Sequence, residues 1–422
     1  MPLKPVYDSI HGYIELDKTE AAIVDSTAFR RLQRISHLGL ASYVYPGAAH
    51  TRFAHSLGAL YVMDRIVTQL ISQGVPLKED RSVLRLSALL HDIGHYPFSH
   101  ALEMTTKAVY AHEEHDEEKQ KEAGHESIGQ KLVQETPDIA KAMGDTSKVI
   151  SILAKSYVTR PLYSYLMSSS MDVDRIDYLQ RDAAYSGAAY GRIDADRLIS
   201  TITVDDINNP SYLAVYEKGK QAVENFLIGR YHMFQALYYH RSVYALELML
   251  REVCSKLIRD GVLPGCRELR KSLTDKFLDY DDSYVWERIR KARKRKGVVG
   301  ELAKMLLNGT QLELAYEFTE LSRKKSKITD ATLQKWRTKI SKKSDVPFHW
   351  IFCTKSKDID FIDDDLEETI YIKSEDKCHP IMKDKQSIIY HLWRSKYRTI
   401  RVYTKSEEYA HRIRPVCRNL IG

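Results

Sequence analysis

Four residues in the first half of the chain carry its chemistry: His55, the adjacent pair His91 and Asp92, and Asp174. They sit in RFAHSLG, LLHDIGH and MDVDRIDY. Two imidazoles and two carboxylates suit a divalent metal, and such a site points to phosphate-ester hydrolysis rather than redox or acyl-transfer chemistry. A lone histidine is more often structural. Here His50, His55, His91, His95 and His100 crowd into one stretch, and His125 follows. His91 and His95 are four apart, which on a helix puts them on one face, with Asp92 on the neighbouring arc. Neutral imidazole suits Fe, Mn, Co, Ni or Zn, and a carboxylate can bridge to a harder Mg.

These residues need helices to carry them. Apolar residues recur at helical spacing over Ala21–Ile35, Leu57–Ile71, Val83–His91, Ser127–Val133, Lys148–Leu153 and Val223–Leu257. The helix bearing His91 and Asp92 should start near Glu79 and end near Pro97, because proline breaks the backbone ladder. Strand-like alternation is sparse before residue 340. The exceptions are Tyr13–Leu16 and Ser42–Tyr45, each near a glycine and suited to a hairpin. Within Tyr110–Glu126, AHEEHDEEKQKEAGHE has no apolar stripe and reads as a mobile loop or exposed helix end. Its His112 and His115 have i,i+3 spacing, unlike the i,i+4 pair of a zinc-protease helix, and read as a surface cluster. Gly297–Lys343 reads as a polar helical insertion. After Asp345, HWIFC, ETIYIK and TIRVYT are short β-rich runs; Ile388–Ser395 and the closing KSEEYAHRIRPVCRNLI read as helical. The expected fold is mostly α: a catalytic core over 1–260, a basic helical insertion over 261–344 and a small α+β C-terminal region over 345–422.

Composition narrows the class. The 422 residues can build a sizeable core in two or three units. An apolar fraction of 43% with 29% charged residues is that of a soluble globular protein. No run approaches the ~18–20 apolar residues of a membrane span, so no membrane partner is expected. The start, MPLKPVYDSIHGYIEL, lacks the basic-then-apolar layout of a signal peptide. Five scattered cysteines without CxxC spacing (Cys254, Cys266, Cys353, Cys378, Cys417) suggest reduced thiols in a cytoplasmic protein. The net charge of +7 is uneven: Glu287–Lys343 holds 17 Lys and Arg against 6 Asp and Glu. Such a module suits nucleic acid, a nucleotide or an acidic patch on a partner subunit, but equally a solvated helical surface. No base-stacking aromatic pattern accompanies it.

The spacing of His55, His91–Asp92 and Asp174 resembles the signature of the HD-domain metal-dependent phosphohydrolase superfamily. The surrounding text is more specific. PVYDSIHGYIEL, FRRLQRISHLGLASYVYPGAAHTRFAHSLG, LLHDIGHYPFSHALE, GHESIG and MDVDRIDYLQRDAAYSG are similar to its deoxynucleoside triphosphate triphosphohydrolase branch, over about residues 5–255. The resemblance implies an HD-domain helical core. It implies that His55, His91, Asp92 and Asp174 ligate a divalent transition metal (Fe, Mn, Ni, Co or Zn), with Asp92 also facing Mg. It implies that a metal-activated water attacks the α-phosphorus of a dNTP, releasing deoxynucleoside and inorganic triphosphate.

The departing 5′ oxygen is a poor leaving group and needs an acid. By resemblance that acid is His100, with His95 and His125 lining the triphosphate and Glu126 placed to orient an imidazole. Arg52, Arg175 and Arg230 match phosphate contacts, Arg175 replacing the usual lysine with a planar fork. Tyr178, Asp182 and Tyr238 match positions that hold the sugar, and a tyrosine against C2′ selects deoxyribose by crowding. His37 and Leu38 are also expected at the substrate, His37 standing where many relatives carry a glutamine that contacts the 3′-OH. His11, beside Gly12, reads as structural. The same likeness implies homo-oligomers, dimers or tetramers, and a nucleotide activator. At the positions of that regulatory site Asp25 and Arg31 are retained, Tyr7 replaces an asparagine, and Arg30 and Gln33 are interchanged. Two other readings fit the same residues. One is an HD phosphohydrolase acting on another nucleotide or phosphodiester. The other is a nucleotide- or nucleic-acid-binding regulator working through residues 287–343.

Overall fold

Helix Arg52–Ser72 is the axis around which the rest is arranged. It is buried on most of its circumference, with Asp64, Arg65, Thr68, Gln69 and Ser72 forming an outward polar stripe. Leu57 and Leu60 join one apolar cluster with Leu89, Leu90, Ile93 and Met249. Val62, Met63, Ile66 and Leu70 join a second with Leu84, Ile176, Leu179 and Phe226. Helices Arg81–Leu90 and Val173–Ser186 pack directly on it, and His100–Glu114 packs on Arg241–Arg259. The computed structural model describes residues 4–421 apart from 115–122, 157–160, 272–274, 325–327, 357, 361, 363–368 and 376. Residues 115–122 of the charged Tyr110–Glu126 stretch, His115 among them, and the side chain of His112 lie outside the described residues.

The mostly α fold stands, with several elements redrawn. The run expected as one helix over Ala21–Ile35 is three pieces: Lys18–Asp25, Thr27–Arg30 and a 3-10 turn at Arg31–Arg34. Ser26 breaks it, because its backbone is extended (ψ 150) and its side chain caps the second piece at Phe29. The helix expected to reach Pro97 stops at Leu90, and His91–Gly94 form a turn. His91 and His95 therefore do not share a helix face. The turn lets Gly94 press against the neighbouring helix His125–Glu135, where a Cβ would lie 2.1 Å from the His125 carbonyl oxygen. The expected Val223–Leu257 helix is likewise split into Lys220–Met233, a π turn at Phe234–Tyr238, and Arg241–Arg259.

Strand β1 (Lys4–Asp8) pairs with β2 (Gly12–Leu16) as an antiparallel hairpin. Ser42–Tyr45 takes no part in it; Ala41–Tyr43 is a 3-10 turn. Strands β3 (Ile202–Val204) and β4 (Leu213–Tyr216) were not legible as strands, because all but Tyr216 are buried and show no alternation. The polar insertion also contains a ten-residue strand, β5 (Glu313–Ser322), between helices Val298–Leu307 and Asp330–Ser344. Further on come β6 (Phe352–Lys355), β7 (Ile359–Asp360), β8 (Tyr371–Lys373), β9 (Cys378–Pro380) and β10 (Lys396–Thr404). β10 pairs with β5 on one side and with β6 and β7 on the other. The second sheet runs β3-β4-β8-β9, with β4 and β8 parallel. Among the described residues no helix is long and apolar enough to cross a membrane. All five cysteines are free thiols.

Candidate metal and phosphate site

Three buried segments bring four donor groups together. His55 comes from the central helix, His91 and Asp92 from the turn after Leu90, and Asp174 from the first turn of Val173–Ser186. His55 Nε2 lies 3.0 Å from Asp174 Oδ1, 3.3 Å from His91 Nε2 and 3.6 Å from Asp92 Oδ2. His91 Nε2 lies 3.4 Å from Asp92 Oδ1 and 3.8 Å from Asp174 Oδ1. The outer nitrogens decide what these rings offer. His91 Nδ1 faces the Ala88 carbonyl at 2.8 Å, and a carbonyl only accepts, so that nitrogen carries the proton. His55 Nδ1 faces Asp177 Oδ2 at 2.8 Å, with the same consequence. Two lone pairs and two carboxylates are then left pointing at one another. That arrangement is stable only around positive charge, and its nitrogen and oxygen donors fit a divalent transition metal. The same field acts on protons. Burial opposes charge on His55, but Asp174 and Asp177 outweigh it and lift its pKa to about 10.

Asp177 supports this cluster from behind and was passed over in the sequence reading. It is fully buried, and one oxygen holds His55 while the other meets His11 Nε2 at 2.6 Å. Arg181 clamps it from Nε at 2.9 Å and Nη2 at 3.0 Å, and Arg181 Nη1 reaches Asp8 Oδ2 at 2.8 Å. His11 has the structural contact expected of it: through Asp177 it ties the β1–β2 hairpin to the rear of the donor cluster. Gly58 makes room, since a Cβ there would lie 1.9 Å from Asp177 Oδ1. The signal available in sequence was the DxxD spacing of Asp174 and Asp177, one helical turn apart.

His91, Asp92 and Asp174 form one wall of a cavity of ≈ 200 Å³ that Arg52, His95, His100, His125, Glu126, Asp172 and Arg175 also line, with His55 buried behind them. Arg52 is anchored on three sides: Nη1 to Asp92 Oδ2 at 2.6 Å, Nε to Ser99 Oγ at 3.0 Å, and Nη2 to the His37 carbonyl at 3.4 Å. His95 Nε2 meets Asp92 Oδ1 at 3.2 Å; burial and the nearby Arg52 hold its pKa well below the usual histidine value. His95 stacks on His125 at 4.3 Å, and His100 stands edge-on to both. The His100 side chain is 63% exposed, at the cavity mouth. The partner of these imidazoles is Glu103, not Glu126. Glu103 Oε2 lies 2.9 Å from His125 Nδ1 and 3.6 Å from His100 Nδ1, and its carboxyl is held far below the usual range by them and by Lys107, against its own burial. Glu126 is exposed at the rim.

The residues expected at the sugar gather beside this cavity, not in its wall. Asp182 Oδ1 meets His50 Nε2 at 2.8 Å and His37 Nε2 at 3.6 Å, and Asp182 Oδ2 accepts from the Tyr238 hydroxyl at 2.7 Å. The π turn delivers Tyr238 to this spot, edge-on to Tyr178 at 6.1 Å. His37 touches the main cluster through its ring, 4.5 Å from that of His55. Leu38 packs into the second apolar cluster. Arg230 lies over the Phe234 ring with a buried Nε that has no partner among the described residues. Asp25 and Arg31, the pair that the resemblance would place at a regulatory nucleotide, differ in setting. Arg31 is fully buried, donating to the Tyr280 and His95 carbonyls, and cannot reach a surface nucleotide. Asp25 is exposed and paired with Lys4 and Arg30, each at 2.6 Å.

Residues 52–182 match the HD domain and residues 193–421 match the HD associated region. Together these cover most of the chain, which therefore belongs to the HD-domain family. A crystal structure of a phosphohydrolase from Bacteroides thetaiotaomicron superposes with a TM-score of 0.75 at 27% identity, covering 96% of this chain and 100% of that one. An uncharacterized protein of Methanocaldococcus jannaschii is 33% identical over 70% of this chain and 60% of its own length. The deoxynucleoside triphosphate triphosphohydrolase SAMHD1 of Bos taurus is 26% identical over 60% of this chain and 47% of its own. The chain spans between about half and three-fifths of the length of these curated relatives.

Proposed function

We propose that this protein is a metal-dependent phosphohydrolase that cleaves deoxynucleoside triphosphates at the α-phosphorus, giving deoxynucleoside and inorganic triphosphate. The observation that carries the reading is the convergence of His55, His91, Asp92 and Asp174 beside a cavity that the last three line together with His95, His100, His125 and two arginines. His55, His91, Asp92 and Asp174 would hold a transition metal (Fe, Mn, Ni, Co or Zn), with Asp92 also facing Mg. When bound, the ions would acidify a water and neutralise phosphate charge. The remaining tasks fall to side chains of this chain. Arg52 and Arg175 offer cations to the phosphates. His95, kept neutral, can accept or donate one hydrogen bond at the triphosphate. His100, at the mouth and backed by Glu103, gives a proton to the departing 5′ oxygen. Tyr178, Asp182, Tyr238 and His37 hold the sugar and Arg230 the distal phosphates.

Support for the nucleotide comes from the distant relatives and from this donor set. A dimer or tetramer, a cytoplasmic setting and a nucleotide activator belong to the same reading. Activation would need a site other than the buried Arg31. One observation favours a different nucleotide or phosphodiester: three side chains, His37, His50 and Tyr238, already converge on Asp182, so the sugar pocket differs from the glutamine type. The deciding experiment is product analysis. The protein is incubated with each dNTP and NTP in Mg and Mn, and products are resolved by ion exchange. Deoxynucleoside plus intact triphosphate is the expected result. Cleavage of NTPs alone, or stepwise release of single phosphates, would overturn it.

A further inference from the structure

Tyr280–Asp282 is remote in sequence from the site histidines, yet it grips both segments that carry them. The Tyr280 carbonyl accepts from Arg31 Nε at 3.0 Å and Nη2 at 2.6 Å, and that Nη2 also donates to the His95 carbonyl at 2.7 Å. Asp281 accepts from Arg34 and caps the helix Asp282–Ala292 at Tyr284. Asp282 accepts two backbone N–H groups: Ser36 at 2.9 Å and Phe98 at 2.7 Å. Ser36 precedes His37. Phe98 lies two residues before His100, which opens the helix His100–Glu114.

The backbone between Phe98 and His100 needs that support. Phe98 (φ 52) and Ser99 (φ 54) are consecutive non-glycine residues in the left-handed region, where such residues persist only when their surroundings over-determine them. Here they do. Trp286, one turn along the same helix as Asp282, packs edge-on against the Phe98 ring at 5.5 Å. The Ser99 hydroxyl donates to the Ser36 carbonyl at 3.0 Å and accepts from Arg52 Nε at 3.0 Å.

We propose that Asp282 is a positioning residue: its carboxylate locks the strained Phe98–Ser99 turn to the His37 segment and thereby sets His100 at the cavity mouth. The inference rests on reading His100 as the leaving-group acid. An aspartate is required because two N–H donors need two acceptors. An asparagine supplies one acceptor and turns an NH₂ toward the other donor.

The test compares leaving groups. Wild type, Asp282→Asn and His100→Ala are assayed on the dNTPs, whose departing alkoxide needs an acid, and on bis(p-nitrophenyl) phosphate, whose departing phenolate does not. Metal content and Tm are measured alongside. Asp282→Asn should lower kcat on dNTPs by roughly 10–100-fold, a partial loss of an acid contribution typically of 10²–10⁴. Turnover of the nitrophenyl ester and metal content should stay within about twofold. Equal loss on both substrates, or no loss on either, overturns the positioning role. If His100→Ala itself shows no leaving-group dependence, or wild type turns over neither substrate, the acid assignment fails and this inference with it. If His100→Ala shows it and Asp282→Asn does not, only this inference fails. Should Asp282→Asn be insoluble, Asp282→Glu carries the same comparison, keeping both acceptors one methylene further out. Amide hydrogen exchange gives a readout independent of turnover. Loss of protection confined to residues 98–103 supports the role; unchanged protection there overturns it.

Discussion

His55 owes its usefulness to what lies behind it. Asp177 fixes its proton on Nδ1, and Arg181, His11 and Asp8 fix Asp177 in turn. Carboxylates behind metal-binding imidazoles typically tune affinity by about 10–100-fold. Asp177→Asn should therefore weaken binding of Mn or Ni by about that factor in a calorimetric titration. An affinity within twofold of wild type would show that the rear hydrogen bond does not matter. The front of the site is more absolute. His91→Ala combined with Asp92→Ala should abolish metal content and turnover together, and full activity in that variant would remove these residues from the site.

Close packing of helices sets the site's dimensions. Gly58 lets the central helix approach Asp177, and no side chain can be added without displacing a buried carboxylate. Gly58→Ala should cost at least 1–3 kcal/mol, the usual range for overpacking, and lower metal occupancy with it. A fall in neither, by melting and metal analysis, would contradict the contact. Helix Arg241–Arg259 carries a different liability. Burial pushes the Glu247 carboxyl up to about 7, against the lowering effect of Arg251. A raised carboxyl binds its proton more tightly folded than unfolded, so stability falls as pH rises from about 4 to about 7 and stays lower above. Glu247→Gln should thus be more stable than wild type at pH 8 by about 1–3 kcal/mol and nearly equal to it at pH 4. Equal melting curves at pH 8 would show that Glu247 is not held in that state.

The two sheets tie distant stretches of chain into one body. β10 is the middle of its sheet, joined to β5 along its whole length, and β8 extends the sheet begun by β3 and β4 far earlier in the chain, within residues 202–216. A chain ending at residue 344 would leave β5 without β10 and β4 without β8, opening their edges, and would lose the buried Ile400 and Val402 of β10. It should fail to melt cooperatively, as read by calorimetry. A native-like transition in that truncation would show that the last segment is dispensable.

The sequence alone singled out His55, His91–Asp92 and Asp174 as candidate donors, because metal chemistry admits few residue types and they stand in recognisable text; only the fold brings the other three within 3.6 Å of His55. It also determined that the fold is helical, since apolar spacing survives wherever a helix is half-buried. It missed β3, β4 and β5. The first two are buried without alternation, and β5 lies in a stretch whose charge resembles a solvated helix. It overran Leu90 because nothing in LLHDIGH reveals that Gly94 must touch His125 and Gly129. Glu103 and Asp282 were equally illegible, and Asp177 was marked only by its DxxD spacing from Asp174: each meets a partner 22, 184 or 122 positions away. Local spacing can specify which groups bind. Only tertiary packing, which buries some carboxylates and aims others, decided which of them hold those groups in place.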